Sequence, residues 1–134
     1  MAARVALDTT FLIDLQRERR RGEADGPAQR FLAAAPDLEL YLSPIVLGEF
    51  AEGFSDPEDP VLQTVRTHHH LLAIDDRTAL AYGRIVRALR QEGRLIGVND
   101  LWIAATSVRY ALPLVTENAA QFGRVAGLEL IAYR

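Results

Sequence analysis

Apolar positions along this chain follow two alternating patterns. Short apolar runs occur at residues 4–8, Leu38 to Leu42, Leu71 to Ile74, Pro113 to Thr116 and Leu128 to Ile131. Each has the length of a buried strand, bounded by turn or cap residues. The stretches between them carry helical spacing. Phe11, Leu12 and Leu15 define a first helix, with Thr9 or Thr10 as its cap. Gly26-Pro27 opens a second helix through Phe31 to Ala35, and Ser43-Pro44 opens a third. A fourth follows the loop Asp56-Pro57-Glu58-Asp59-Pro60 and runs to about His69. The clearest period spans Asp76 to about Glu92. Ala81, Tyr82, Ile85, Val86 and Leu89 share one face there, while Arg77, Arg84, Arg87 and Arg90 take the other. Gly93 ends that helix, and Asn99 or Asp100 starts the next.

Strands alternating with helices predict an α/β domain of three layers: a short, mainly parallel sheet flanked by helices. No internal repeat, low-complexity segment or long linker divides the chain, so residues 1–134 are expected to form a single domain. The composition is 49% hydrophobic and 25% charged, that of an ordinary globular protein. Cysteine is absent, which excludes disulfides, thiolate metal sites and Cys nucleophiles. Neither a signal-peptide pattern nor a membrane-length apolar run is present, and a cytoplasmic location without membrane contact is expected. The net charge of −3 argues against non-specific coating of nucleic acid. All fifteen basic residues are arginine, so a P-loop and a receiver-type phosphorylation site, which need lysine, drop out.

Three acids then stand out. Asp8 closes the apolar run Val5-Ala6-Leu7, Glu49 interrupts Ile45-Val46-Leu47-Gly48-Glu49-Phe50, and Asp100 opens Leu101-Trp102-Ile103-Ala104-Ala105. Acids near a core are costly unless paired or bound to a cation. Each also has a structural reading: Asp8 as a turn and cap residue, Glu49 as a helix-edge glutamate, Asp100 as a first-turn acid favoured by the helix dipole. In an open parallel sheet, ligands bind beyond the carboxyl ends of the strands at the switch point. Asp8 and Thr116 both lie at strand ends and would share that crevice if their strands are neighbours. An oxygen-only ligand set selects Mg²⁺ or Mn²⁺, and such a centre suits phosphodiester hydrolysis.

Four segments carry a family resemblance. Asp8-Thr9-Thr10-Phe11-Leu12-Ile13-Asp14-Leu15 resembles the opening signature of PIN-domain nucleases. Ser43-Pro44-Ile45-Val46-Leu47-Gly48-Glu49-Phe50 resembles their second acidic motif, and Gly97-Val98-Asn99-Asp100-Leu101-Trp102-Ile103-Ala104-Ala105 the third. Leu114-Val115-Thr116-Glu117-Asn118-Ala119-Ala120-Gln121-Phe122 resembles the fourth. The likeness is strongest to VapC-type toxins and covers essentially the whole chain. It implies a PIN-like fold and a Mg²⁺- or Mn²⁺-dependent endoribonuclease, homodimeric and silenced by a cognate antitoxin protein. By motif position Asp8, Glu49 and Asp100 become the catalytic acids and metal ligands, with Glu49 either binding metal or activating water. Thr116 is retained as a residue that hydrogen-bonds a ligand. The fourth motif departs from the pattern, with amides at Asn118 and Gln121 where an aspartate is usual. Asn118 becomes a weak neutral ligand, and one metal is expected rather than two. The other readings are a PIN-fold binding protein with a decayed centre and an RNA-processing PIN nuclease.

Other features read as structural. Asp14 falls on the polar side of its helix with Glu18. His68-His69-His70 cannot chelate one ion from a helix, since neighbours diverge by about 100°. The arginines at 77, 84, 87 and 90, and those at 17, 19, 20 and 21, are read as solvated faces with an RNA path as the alternative. Trp102 points away from the apolar side of its helix, toward either an interface or partial burial.

Overall fold

The strands are short and all run in one direction. In the computed structural model, which describes residues 3–134, β1 (Arg4–Leu7), β2 (Glu39–Leu42), β3 (His70–Leu71), β4 (Leu114–Val115) and β5 (Leu130–Ile131) form one parallel sheet in the order β3-β2-β1-β4-β5. Between them lie α1 (Thr9–Arg21), α2 (Pro27–Ala34), α3 (Pro44–Ala51), α4 (Pro60–His68), α5 (Asp76–Gln91), α6 (Val98–Tyr110) and α7 (Ala119–Phe122). Among the described residues no helix is long and apolar enough to cross a membrane.

Central β1 pairs with β2 through Val5↔Leu40 and Ala6↔Tyr41, and with β4 through Ala6↔Leu114 and Leu7↔Val115. Val5, Ala6 and Leu7 alternate in direction, yet all three are buried. Both faces of β1 are therefore covered. The chain runs outward from β1 to β2 and β3, then returns to the other side of β1 for β4 and β5. That reversal opens a crevice at the carboxyl ends of β1 and β4.

The predicted periodicity of α5 holds: Ala81, Ile85 and Leu89 are buried against α6. Trp102 is settled within the chain, its ring stacked on Tyr82 with centroids 4.0 Å apart. Asp75 caps α5 and takes both Nε and Nη2 of Arg109, at 3.2 and 2.9 Å, which holds its carboxyl well below the usual range. Several boundaries move. The cap of α1 is Asp8, not Thr9 or Thr10. The third strand lies at His70–Leu71 rather than Leu71 to Ile74, because parallel pairing aligns His70 with Tyr41. The His triplet is divided accordingly: His68 and His69 donate from Nδ1 to helix carbonyls, while His70 stacks on Tyr41. The last strand shortens to the two residues that meet β4. Four-residue α7 carries too little periodicity to announce itself.

Glu18 is buried, contrary to its place on the polar side of α1. Its carboxylate accepts from the backbone N–H of Ala28 at 2.9 Å and of Gln29 at 3.0 Å. A side chain ten residues upstream thus caps α2, whose own N-cap residue, Gly26, has no side chain to do so. A Cβ on Gly26 would fall inside the Glu18 carboxyl group, although the backbone there, φ −62° and ψ 155°, suits any residue. Glu18→Ala should lower stability by about 1–3 kcal/mol through its orphaned donors. Gly26→Ala should destabilise the wild type by displacing Glu18, yet be neutral in the Glu18→Ala background. Urea unfolding of the double-mutant cycle reads this coupling, and additive losses would contradict it.

Candidate active site

Asp8 follows β1 without a break. Its backbone N–H donates to Val115 O at 3.0 Å, extending the β1–β4 ladder so that Asp8 and Thr116 stand side by side. One carboxylate oxygen, Oδ1, accepts from the Thr9 backbone N–H at 2.8 Å. The other, Oδ2, accepts from the hydroxyls of Thr116 at 2.7 Å and Thr10 at 3.1 Å. The side chain is 4% exposed as a residue. Burial pushes its pKa above the ordinary carboxylate value, these hydrogen bonds pull it back, and the charge of Glu49 adds a smaller upward push.

Ser43 caps α3 through its hydroxyl, which accepts from Val46 N–H at 3.1 Å. That start aims Glu49 at the end of β1. Glu49 Oε1 accepts from the Thr9 hydroxyl at 2.5 Å, and Oε2 accepts from the Asn99 amide at 3.2 Å. Asp100 enters in the first turn of α6 and is half-buried. It makes no hydrogen bond or ion pair among the described residues. Burial raises its pKa, and the charges of Asp8 and then Glu49 raise it further. Three acids distant in sequence therefore share one electrostatic neighbourhood. Among the described residues, no arginine pairs with any of them.

Thr116 reaches Asp8 directly and is itself held by the Asn118 backbone N–H at 3.0 Å. The Asn118 side chain makes no cap hydrogen bond at the start of α7, and Gln121 is exposed. Glu117 turns away and binds Arg134. Asp14 is more enclosed than its helix face predicts. Tyr133, beyond β5, folds over α1 and donates its hydroxyl to Asp14 at 2.6 Å, and Arg134 lies 3.4 Å away. Thr9 and Asn99 are the contributors that pattern reading missed. Their adjacency to Asp8 and Asp100 was the available signal.

Among the described residues no three carboxylate or imidazole groups close into a ready cation cage. Glu49 is drawn toward Thr9 and Asn99, and Asp8 toward its threonines. The donor set still suits a hard cation. Carboxylate oxygens each carry a second lone pair, and Asp100 has no competing donor among the described residues.

The PIN-domain family model matches residues 5–128, a span that includes all three acids and Thr116. The chain belongs to the PIN-domain family. Ribonuclease VapC1 of Methanocaldococcus jannaschii is 30% identical over 132 residues, covering 98% of this chain and 88% of the relative. VapBC-1 from nontypeable Haemophilus influenzae matches with a TM-score of 0.79 and 27% identity, covering 97% of this chain and 98% of that one. VapBC2 from Rickettsia felis, bound to a DNA fragment from its promoter, has the same fold at 24% identity, with a TM-score of 0.80 and coverage of 98% and 99%. In this PIN fold, as in any protein, a buried acid without a partner opposes folding when ionised.

The raised pKa of Asp100 gives that cost a direction in pH. The native state binds the proton more tightly than the unfolded chain, whose carboxyl titrates near the ordinary 3.8. Stability is therefore lost as pH rises from that value through the native pKa. In metal-free buffer at pH 7, Asp100→Asn should be more stable than wild type, with the advantage shrinking as pH falls toward 3.8. Urea unfolding at several pH values tests this. An Asn variant no more stable at pH 7 would contradict it.

Proposed function

We propose that this protein is an endoribonuclease of the VapC kind, the toxin of a toxin–antitoxin pair, with Asp8, Glu49 and Asp100 as its hydrolytic centre. The site assignment is supported by one arrangement: Asp8, Glu49 and Asp100, from three separate elements, lie near enough for their charges to act on one another beside the carboxyl end of β1, and among the described residues no basic side chain pairs with them. Family membership supports the reaction class. Asp8 and Asp100 would hold a Mg²⁺ or Mn²⁺ ion, with Glu49 completing the set or acting on water, and the bound ion would supply Lewis-acid polarisation of the scissile phosphate.

The chain's own groups do the rest. Asp8 is fixed by three hydrogen bonds before substrate arrives, so its orientation costs nothing during the reaction. Thr116 is a positioning residue that acts through Asp8. Glu49 is held at both oxygens, by Thr9 and Asn99, and keeps lone pairs for a water molecule. In the role of base it accepts the water proton as the water oxygen attacks phosphorus. The P–O ester bond breaks, and the departing oxygen takes up a proton from solvent water while Glu49 returns its proton to solvent. Asn118 contributes at most a neutral oxygen, which supports one metal rather than two. The amides at Asn118 and Gln121 are also what favours the second reading, a PIN-fold binding protein with a decayed centre.

An antitoxin partner fits a groove of about 610 Å³ whose lining includes Leu15, Leu32, Leu40 and Val65, together with Arg19 and Arg20. A homodimer belongs to the same reading, and Leu80, Leu95 and Val98 offer exposed apolar surface for it. Purified full chain should cut RNA with Mg²⁺ or Mn²⁺, and Asp8→Asn should slow cleavage by about 10²-fold or more. Undiminished wild-type cleavage in excess EDTA, or an Asp8→Asn variant at wild-type rate, would reject the proposed centre.

A further inference from the structure

A smaller hollow of about 250 Å³ adjoins the centre, with Glu49 in its wall. Ile13, Arg17 and Arg20 border it from α1, and Gly53 and Phe54 border it beyond the end of α3. Nothing in the hydrolytic reading uses these residues, and four features together define what they would hold. The volume falls below the ~300–1,000 Å³ typical of pockets that enclose whole drug-sized ligands, which suits one flat ring better than a length of folded chain. The apolar side is supplied by Ile13, 38% exposed at the surface, and by the half-buried ring of Phe54, which packs 5.2 Å from Phe50. Gly53 adds no side chain to fill the space.

Charge is the fourth feature. Arg20 makes no ion pair among the described residues, and Arg17 holds Asp14 only at 3.8 Å, with about half of its side chain exposed. Two arginines with free donors thus lie next to a centre whose three acids repel a polyanion. A strand whose scissile phosphate must reach those acids needs a cationic foothold nearby, and these are the cations that border the same hollow as Glu49.

We propose that this hollow is the subsite for the nucleotide flanking the scissile phosphate, with its base against Phe54 and Ile13 and its phosphate on Arg17 and Arg20. The proposal rests on the ribonuclease reading above. Stacking on Phe54 tolerates any base, so the subsite contributes affinity and placement rather than sequence choice. The hollow shares Arg20 and Phe50 with the larger apolar groove assigned to a protein partner, while Ile13, Arg17, Gly53 and Phe54 border the hollow and not that groove. An arginine pair beside a single-ring hollow matches an anionic strand.

The test is equilibrium binding of a fluorescein-labelled single-stranded oligoribonucleotide to the full-length Asp8→Asn chain, read by anisotropy across a salt series. Arg20→Ala should weaken binding at least about five-fold and reduce the salt slope by about one. Phe54→Ala should weaken it by a similar factor with the slope unchanged, and Phe54→Trp should retain affinity. Arg30→Ala, at an exposed position of α2, serves as the control that leaves binding unchanged. RNA affinity untouched by both Arg20→Ala and Phe54→Ala overturns the subsite. The same result with antitoxin binding lost in Phe54→Ala, a residue that borders the hollow and not the larger groove, reassigns the hollow to the protein partner. Cleavage by the wild-type chain in parallel separates the two levels. If wild type cuts RNA and the variants bind normally, the subsite alone fails. If wild type neither binds nor cuts RNA, the ribonuclease reading fails and the subsite with it.

Discussion

A carboxylate buried at the end of the central strand is the constraint on which the arrangement depends. Asp8 is stripped of water, and the cost is offset by the Thr9 N–H and the hydroxyls of Thr10 and Thr116. Those donors come from the start of α1 and the end of β4, so satisfying Asp8 locks the sheet's switch point. The network continues outward. Thr9 turns its hydroxyl to Glu49, and Glu49 receives the Asn99 amide. One chain of hydrogen bonds thereby joins β4, β1, α1, α3 and α6 around a single point. The candidate site and the fold draw on the same contacts, and the acids cannot be rearranged without loosening the elements that carry them.

The strand–helix alternation was readable because each element has its own period and punctuation. Gly26-Pro27, Ser43-Pro44 and the apolar face of Asp76–Gln91 all landed within a residue or two. The convergence of Asp8 with Thr116 followed from strand-end position once β1 and β4 proved to be neighbours. What pattern reading missed depends on partners far away in sequence. Glu18 is polar on its helix wheel but caps α2, and Asp14 is covered by Tyr133 from beyond β5. His70 reads as a helix end until Tyr41 recruits it to the sheet. Helical spacing reports which face is apolar and cannot report a hydrogen bond to a distant element.

Two arginine networks lie away from the three acids. Arg109 is committed to Asp75, and Arg134 to Asp14 and Glu117, which ties the last strand to α1. Both pairs brace elements around the centre without entering it. Among the described residues no basic side chain pairs with Asp8, Glu49 or Asp100, and burial first, then repulsion among the acids, raises the pKa of Asp8 and Asp100. A stable fold has no use for that repulsion. A cation-dependent site does, because a hard divalent ion binds where carboxylates repel one another and lack a basic partner. On the proposed reading, the absence of an aspartate from the fourth motif limits the charge available and so the number of ions such a site would hold.

The central claim is that these three acids are a metal site and not a set of caps and helix-edge residues. Calorimetric titration of Mn²⁺ into the metal-free full chain, beside Asp8→Asn and Asp100→Asn, addresses it without reference to any substrate. Saturable binding at one site, weakened about ten-fold or more in each variant, is the predicted result. Binding of equal strength in wild type and both variants, or no binding by a wild-type chain that cleaves RNA, would contradict the account.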